Sequence, residues 1–156
     1  MKKNVRILTY TLLVFAIILI GCAVAAGIIG KTLDKESKAF VDTTIPAIVS
    51  DWDIVEIQKR ASPEFNEAVD YDQMQQLFDV LHGLGDLQEY NGAVGEAKIV
   101  ISFQEGIVIT AYYDASADFE SGSALVQLTL IKHGKNWQIL GLKIVPGEVN
   151  ESKEFI

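Results

Sequence analysis

Few side chains in this sequence could carry chemistry. There are two histidines, His82 and His133, one cysteine, Cys22, and a cluster of phenols and carboxylates at Tyr112, Tyr113, Asp114 and Asp118. Neither histidine has a second histidine or cysteine at ligand spacing, so no metal site is expected. No nucleophile motif supports a Ser-His-Asp arrangement. His82 falls at the predicted end of a helix, where an imidazole meets the negative pole, and His133 falls at a hairpin turn. Residues 107–119 alternate, with Ile107, Ile109, Ala111, Tyr113, Ala115, Ala117 and Phe119 on one face and Thr110, Tyr112, Asp114, Ser116 and Asp118 on the other. That pattern marks a strand with one buried and one wet side. Asp114 and Asp118 then lie about 13 Å apart, too far to share a proton, with Tyr113 on the opposite face. The glycines show no phosphate-loop spacing. No cofactor is expected.

Cys22 follows Leu19-Ile20-Gly21, as at a lipoprotein cleavage site, and this makes it a candidate lipidation residue. The residues around it favour another reading. From Ile7 to Gly30 there are 24 residues without a charge. As a helix they measure about 36 Å, enough for a hydrocarbon layer of about 30 Å with some tilt. A lipoprotein turns polar soon after its cysteine, whereas Ala23 to Gly30 stays apolar. Lys2, Lys3 and Arg6 precede the run and all 21 acidic residues follow it, so the positive-inside rule places residues 1–6 in the cytoplasm and the remainder outside. Both readings place residues 31–156 on the same side. Those residues carry a net charge near −11, a surface that on the whole repels nucleic-acid backbones and anionic lipid headgroups. With one cysteine there is no intrachain disulfide.

Beyond Lys31 the sequence reads as helices and then strands. Thr32 or Asp34 caps a first helix to about Ser50, and Pro46 predicts a kink or a restart. Ser50 resembles an N-cap for a short second helix ending near Arg60, with Trp52, Ile54 and Val55 inward. Ser62-Pro63-Glu64 begins another turn. After Asp70, Met74, Leu77, Phe78 and Leu81 fall at helical spacing, and Gly83 stops the helix. From Asp86 the signals change to a weak strand near 86–91 and then strands at 97–103, 107–119, 124–132 and 137–145. Their short connections imply antiparallel neighbours. Helices followed by a sheet of four to five antiparallel strands define an α+β class. Residues 149–156 read as a loose tail.

"TTIPAIVSDWD", "KRASPEF", "LGDLQEYNGAVGEA" and "LIKHGKNWQILGLKI" resemble small bacterial membrane-anchored domains of the nuclear-transport-factor-two-like, or cystatin-like, superfamily. The resemblance covers roughly residues 34–146 and implies a curved sheet wrapped around a helix to form a cone. Some superfamily enzymes place an Asp and a Tyr inside the cone for proton transfer, which makes Tyr113 and Asp114 the catalytic candidates. Trp52, Phe78, Tyr113, Phe119 and Trp137 would line a ligand pocket, or simply fill the core. Related folds serve as scaffold subunits of secretion machines, and members pair through the exposed sheet face, so a homodimer or an envelope partner is expected there. The expected organisation is a basic stub (1–6), a transmembrane helix (7–30), a cone-type domain (31–148) and a tail (149–156). The expected protein is anchored in the bacterial inner membrane, with its domain in the periplasm or extracellular, and acts by non-catalytic binding. The alternatives are a small isomerase or hydrolase, or a carrier of an apolar ligand. An uncleaved anchor predicts an intact chain near 17.1 kDa by mass spectrometry. A shortened chain bearing a diacylglyceryl mass, lost in Cys22→Ser, would establish the lipoprotein instead.

Overall fold

The computed structural model describes residues 2–102 and 106–147, with side chains described over 13–21, 27–101 and 106–147. Two compact units divide the chain, Met1–Leu33 and Asp34–Ile156. Helix α1 (Lys2–Val49) begins in the first unit and ends in the second. In the first unit the described side chains include exposed Leu13, Phe15, Ile18, Ile20 and Ile28. Among the described residues, no helix is long and apolar enough to cross a membrane. The side chains of 7–12 and 22–26, which belong to the expected span and include Cys22, lie outside the described residues, as do those of the expected basic stub and the expected tail.

The second unit is α+β. Three short helices, α2 (Ile54–Gln58), α3 (Pro63–Ala68) and α4 (Tyr71–Leu81), precede four strands, β1 (Leu87–Ser102), β2 (Gly106–Phe119), β3 (Gly122–His133) and β4 (Asn136–Pro146). The strands form one antiparallel sheet in the order β1-β2-β3-β4. Helix α1 buries Val41, Ile45 and Ile48 along one stripe, at the spacing of one helical face. The sheet buries Ala111, Tyr113, Ala115, Ala117 and Phe119 from β2, Val126, Leu128 and Leu130 from β3, and Trp137 and Ile139 from β4. Phe78 and Leu81 of α4 and Ile57 of α2 join this core.

Several local expectations are corrected. Helix α1 neither starts at Thr32 nor restarts at Pro46. The Thr32 hydroxyl bonds back to Ile28 O at 3.0 Å within an unbroken helix. Ser50 closes α1 rather than opening α2, because both its amide (3.0 Å) and its hydroxyl (2.6 Å) donate to Pro46 O. Asp53 is the α2 cap, its carboxylate accepting from the Val55 amide at 2.8 Å. That phase exposes Val55 and buries Ile57. Trp52 is buried from the turn itself, at a φ of 47°. On α4, Phe78 and Leu81 are buried but Leu77 is exposed. The turn of 3-10 helix His82–Leu84 follows, and Gly85, at φ 79°, ends it. Ser62 caps α3 as expected, and Asp70, after which a helix was expected, caps α4.

The two strands expected at 86–91 and 97–103 are one strand. Irregularities between Leu87 and Glu89 and between Tyr90 and Ala93 absorb the break, with Gly92 at φ 85° inside the second. Ile107 is exposed because the β1–β2 hairpin runs past the end of the core, and Ile109 is half-buried. Gly95 is required by close approach, since a Cβ there would lie 2.0 Å from Tyr112 O and 2.8 Å from Tyr113 Cα. Gly95→Ala is therefore expected to lower stability by roughly 1–3 kcal/mol in urea unfolding. Gly83→Ala, where a Cβ meets nothing within 4 Å, should shift it by less than about 1 kcal/mol.

Candidate functional site

The face of α1 that meets β1 is polar. Asp34, Lys38 and Asp42 recur every four residues, so they stand in one row along the helix. The Asp34 carboxylate accepts from the Ala97 amide at 2.8 Å, and Lys38 Nζ donates to Ala93 O at 3.1 Å and to Asp42 at 2.9 Å. The Tyr90 hydroxyl donates to Asp42 Oδ1 at 2.9 Å. Burial, reinforced by that carboxylate, pushes the Tyr90 phenol up. The row thus runs antiparallel to β1 and occupies its outer edge at Ala93 and Ala97. Its role is not marked in the sequence, because its partners include backbone groups some 55–63 residues away.

Tyr113 reaches the same helix from the buried face of β2. Its hydroxyl lies 2.9 Å from Ser37 Oγ and donates to Asp34 O at 3.2 Å. Burial raises its pKa above the ordinary 10.0. Asp114 points to the other face and accepts from Gln127 Nε2 at 2.9 Å, while Asp118 accepts from Asn91 Nδ2 at 2.8 Å. Hence Tyr113 and Asp114, the two candidates for proton transfer, are on opposite sides of the sheet.

The five aromatic candidates divide. Trp52, Phe78 and Phe119 pack on one another, with Trp52 stacked 5.3 Å from Phe119 and edge-on 5.6 Å from Phe78. Tyr113 joins the α1 seam. Trp137 lies elsewhere, with Lys132 Nζ 5.2 Å above its ring. It lines an open cleft of about 470 Å³ together with Phe40, Glu36, Lys59, Arg60 and Lys135. Much of the charge there is already matched. Lys132 pairs with Glu36, and Lys59 and Arg60 both pair with Glu56. These cations hold the Glu36 and Glu56 carboxyls below their ordinary range.

His133 Nε2 lies 3.1 Å from Glu64 Oε1 beside a second cleft of about 460 Å³, lined by Ile107, Val108, Thr110, Ile131 and Leu140. The first turn of α3 lowers the Glu64 pKa, through its backbone amide and the Ser62 hydroxyl, with His133 adding to the effect. His82 is exposed. Among the described residues no group of three His, Cys, Asp or Glu could hold a metal ion.

The outer face of the sheet bears exposed apolar residues on every strand: Val94 on β1, Tyr112 on β2, Leu125 on β3 and Val145 on β4. Leu125 and Val145 are directly paired across β3 and β4.

Tyr113 gives a pH-dependent test. A phenol with a raised pKa stays neutral in the fold while the unfolded chain ionises, so stability is intact below the ordinary 10.0 and falls as pH rises past it. Tyr113→Phe should cost about 1 kcal/mol at neutral pH through the lost hydroxyl bonds. It should also lose less stability than the wild type on alkaline titration, read by denaturant unfolding.

Comparison with family models, with curated proteins and with solved structures finds no match to the chain.

Proposed function

We propose that this is a membrane-anchored, extracytoplasmic binding domain of cone type, held by residues 7–30 and acting without catalysis through the outer face of its sheet. The expected partner is a protein of the cell envelope or a second copy of this chain. The carrying observation is that face itself. Val94, Tyr112, Leu125 and Val145 expose apolar surface on four adjacent strands, with Leu125 and Val145 paired in the row between Asp114–Gln127 and Asn91–Asp118, and Val94 and Tyr112 at and beyond Asp114. Apolar residues interspersed with polar ones suit protein contact. The opposite face is already covered by the helices. The buried aliphatic hydroxyls among the described residues are Ser37, Thr44 and Ser62. Tyr113 is held by Ser37 and Asp34 O, which fits a packing role better than a proton-transferring one.

The anchor is supported by the sequence: an uncharged stretch of 24 residues, basic residues before it and the acidic ones after it. The test is photo-crosslinking in native membranes, with the reactive side chain placed at Tyr112 or Leu125 and, as a control, at exposed Val80 on α4. A discrete protein adduct from the sheet positions and none from Val80 is the expected result. Equal labelling from all three positions would overturn the assignment of the sheet face.

A further inference from the structure

The tip of the β1–β2 hairpin does not follow the rule that the rest of the sheet obeys. Ile99 pairs with Ile109, Val100 with Val108, and Ile101 with Ile107. Successive pairs point to opposite faces, so both faces of the hairpin are apolar, where a hairpin in water would keep one face polar. Ile101 is 79% exposed and Ile107 71%. The pairing of β2 with β3 starts at Thr110, and Gly106–Ile109 pair with β1.

The position of this tip within the second unit is well defined. Along β1 the contacts with α1 step from Tyr90–Asp42 through Ala93–Lys38 to Ala97–Asp34. Strand β1 therefore travels toward the end of the unit at which the chain enters it. The β3–β4 turn lies at this end too, since Lys132 meets Glu36. From Ala97 to Ser102 the strand extends about 16 Å further. Between the uncharged stretch ending at Gly30 and Asp34 there are just three residues, a tether of at most about 14 Å whatever its conformation.

The domain is acidic overall, yet its entry end exposes Lys35, Lys98 and Lys135 alongside Glu36 and Glu96, with Glu36 paired to Lys132 and Glu96 to Lys98. The opposite end, at the β2–β3 turn, carries Asp86 and Glu120. An apolar tip with lysines behind it matches a phospholipid surface, where acyl chains take the isoleucines and phosphates take the ammonium groups. A second copy added along β1 fits less well. Asp34 and Lys38 already occupy the edge groups at Ala97 and Ala93, and a blocked edge resists strand addition.

We infer that the β1–β2 hairpin tip, through Ile99–Ile101 and Ile107–Ile109, dips into the outer leaflet of the membrane that holds residues 7–30. It forms a second lipid contact and fixes the domain's orientation. This inference rests on the anchor reading, and one experiment separates the two. In a Cys22→Ser background the full chain carries a single environment-sensitive fluorophore at Phe15→Cys, Ile101→Cys or Val80→Cys. It is reconstituted in phosphatidylcholine–phosphatidylglycerol vesicles containing lipids with a quencher on the acyl chain. The expected result is a blue shift and loss of fluorescence for Phe15 and Ile101, with Val80 unchanged. Quenching at Phe15 with Ile101 behaving as Val80 does would overturn the hairpin insertion and leave the anchor standing. No quenching at either Phe15 or Ile101 would overturn both. Self-quenching between labels at Ile101 without lipid quenching would overturn it in favour of a contact between copies.

Discussion

Between Asp34 and Asp42 helix α1 presents two adjoining stripes, and both are spent on the first two strands. Asp34, Lys38 and Asp42 take the edge of β1, while Ser37 faces β2, where Tyr113 rises to meet it, and Val41 beside it is buried. Charge-assisted bonds such as that from the Ala97 amide to Asp34 contribute about 1.5–3 kcal/mol each, and losing one partner would strand the other. Position matters more here than energy. Three contacts at intervals of four helical residues fix the direction, register and distance of α1 against β1. Alanines at 111, 115 and 117 on β2 leave room beneath the helix, and Tyr113 fills the one place where a long side chain can reach a polar partner. Once α1 is set, the Trp52–Phe119–Phe78 stack follows at its far end and closes α4 onto the sheet.

Much of this architecture was legible in the sequence, for a local reason. The alternation of residues 111–119 requires one buried face, and Ser62-Pro63 and Asp70 carry their own capping chemistry. The errors arise where a residue's partner is remote or where a neighbour competes. Ser50 looks like a cap, but its hydroxyl was captured by Pro46 O and the role passed to Asp53, shifting the inward position from Val55 to Ile57. The sequence separates a strand at 86–91 from one at 97–103 because glycines interrupt the strand pattern between them; Gly92 marks an irregularity inside one strand. The polar row on α1 was invisible because backbone amides and carbonyls of β1 leave no mark in the side-chain sequence.

The candidate chemistry divides along similar lines. Alternation alone separated Tyr113 from Asp114, and the structure keeps them on opposite faces with different partners. The aromatic set could not be partitioned from sequence. A tryptophan in a tight turn at positive φ and a tryptophan opening a strand look alike as letters, yet Trp52 completes a stack while Trp137 borders a cleft under Lys132. Ile107 continues the alternation of β2 without interruption, so periodicity assigns it to the core. Its exposure follows from where the helices end, which is a property of the other layer.

The two proposed surfaces are compatible because they lie on different parts of one sheet. The hairpin tip is an end of the strands, whereas Val94, Tyr112, Leu125 and Val145 occupy a face along their length. With the tip at a lipid surface, the strands run away from that surface and the outer face stands upright to it. A partner then reaches the face laterally, from within the same membrane or beside it, without displacing the hairpin. A lipid contact at the tip would set the direction of that face before a partner arrives, and less orientational entropy would then be lost on binding.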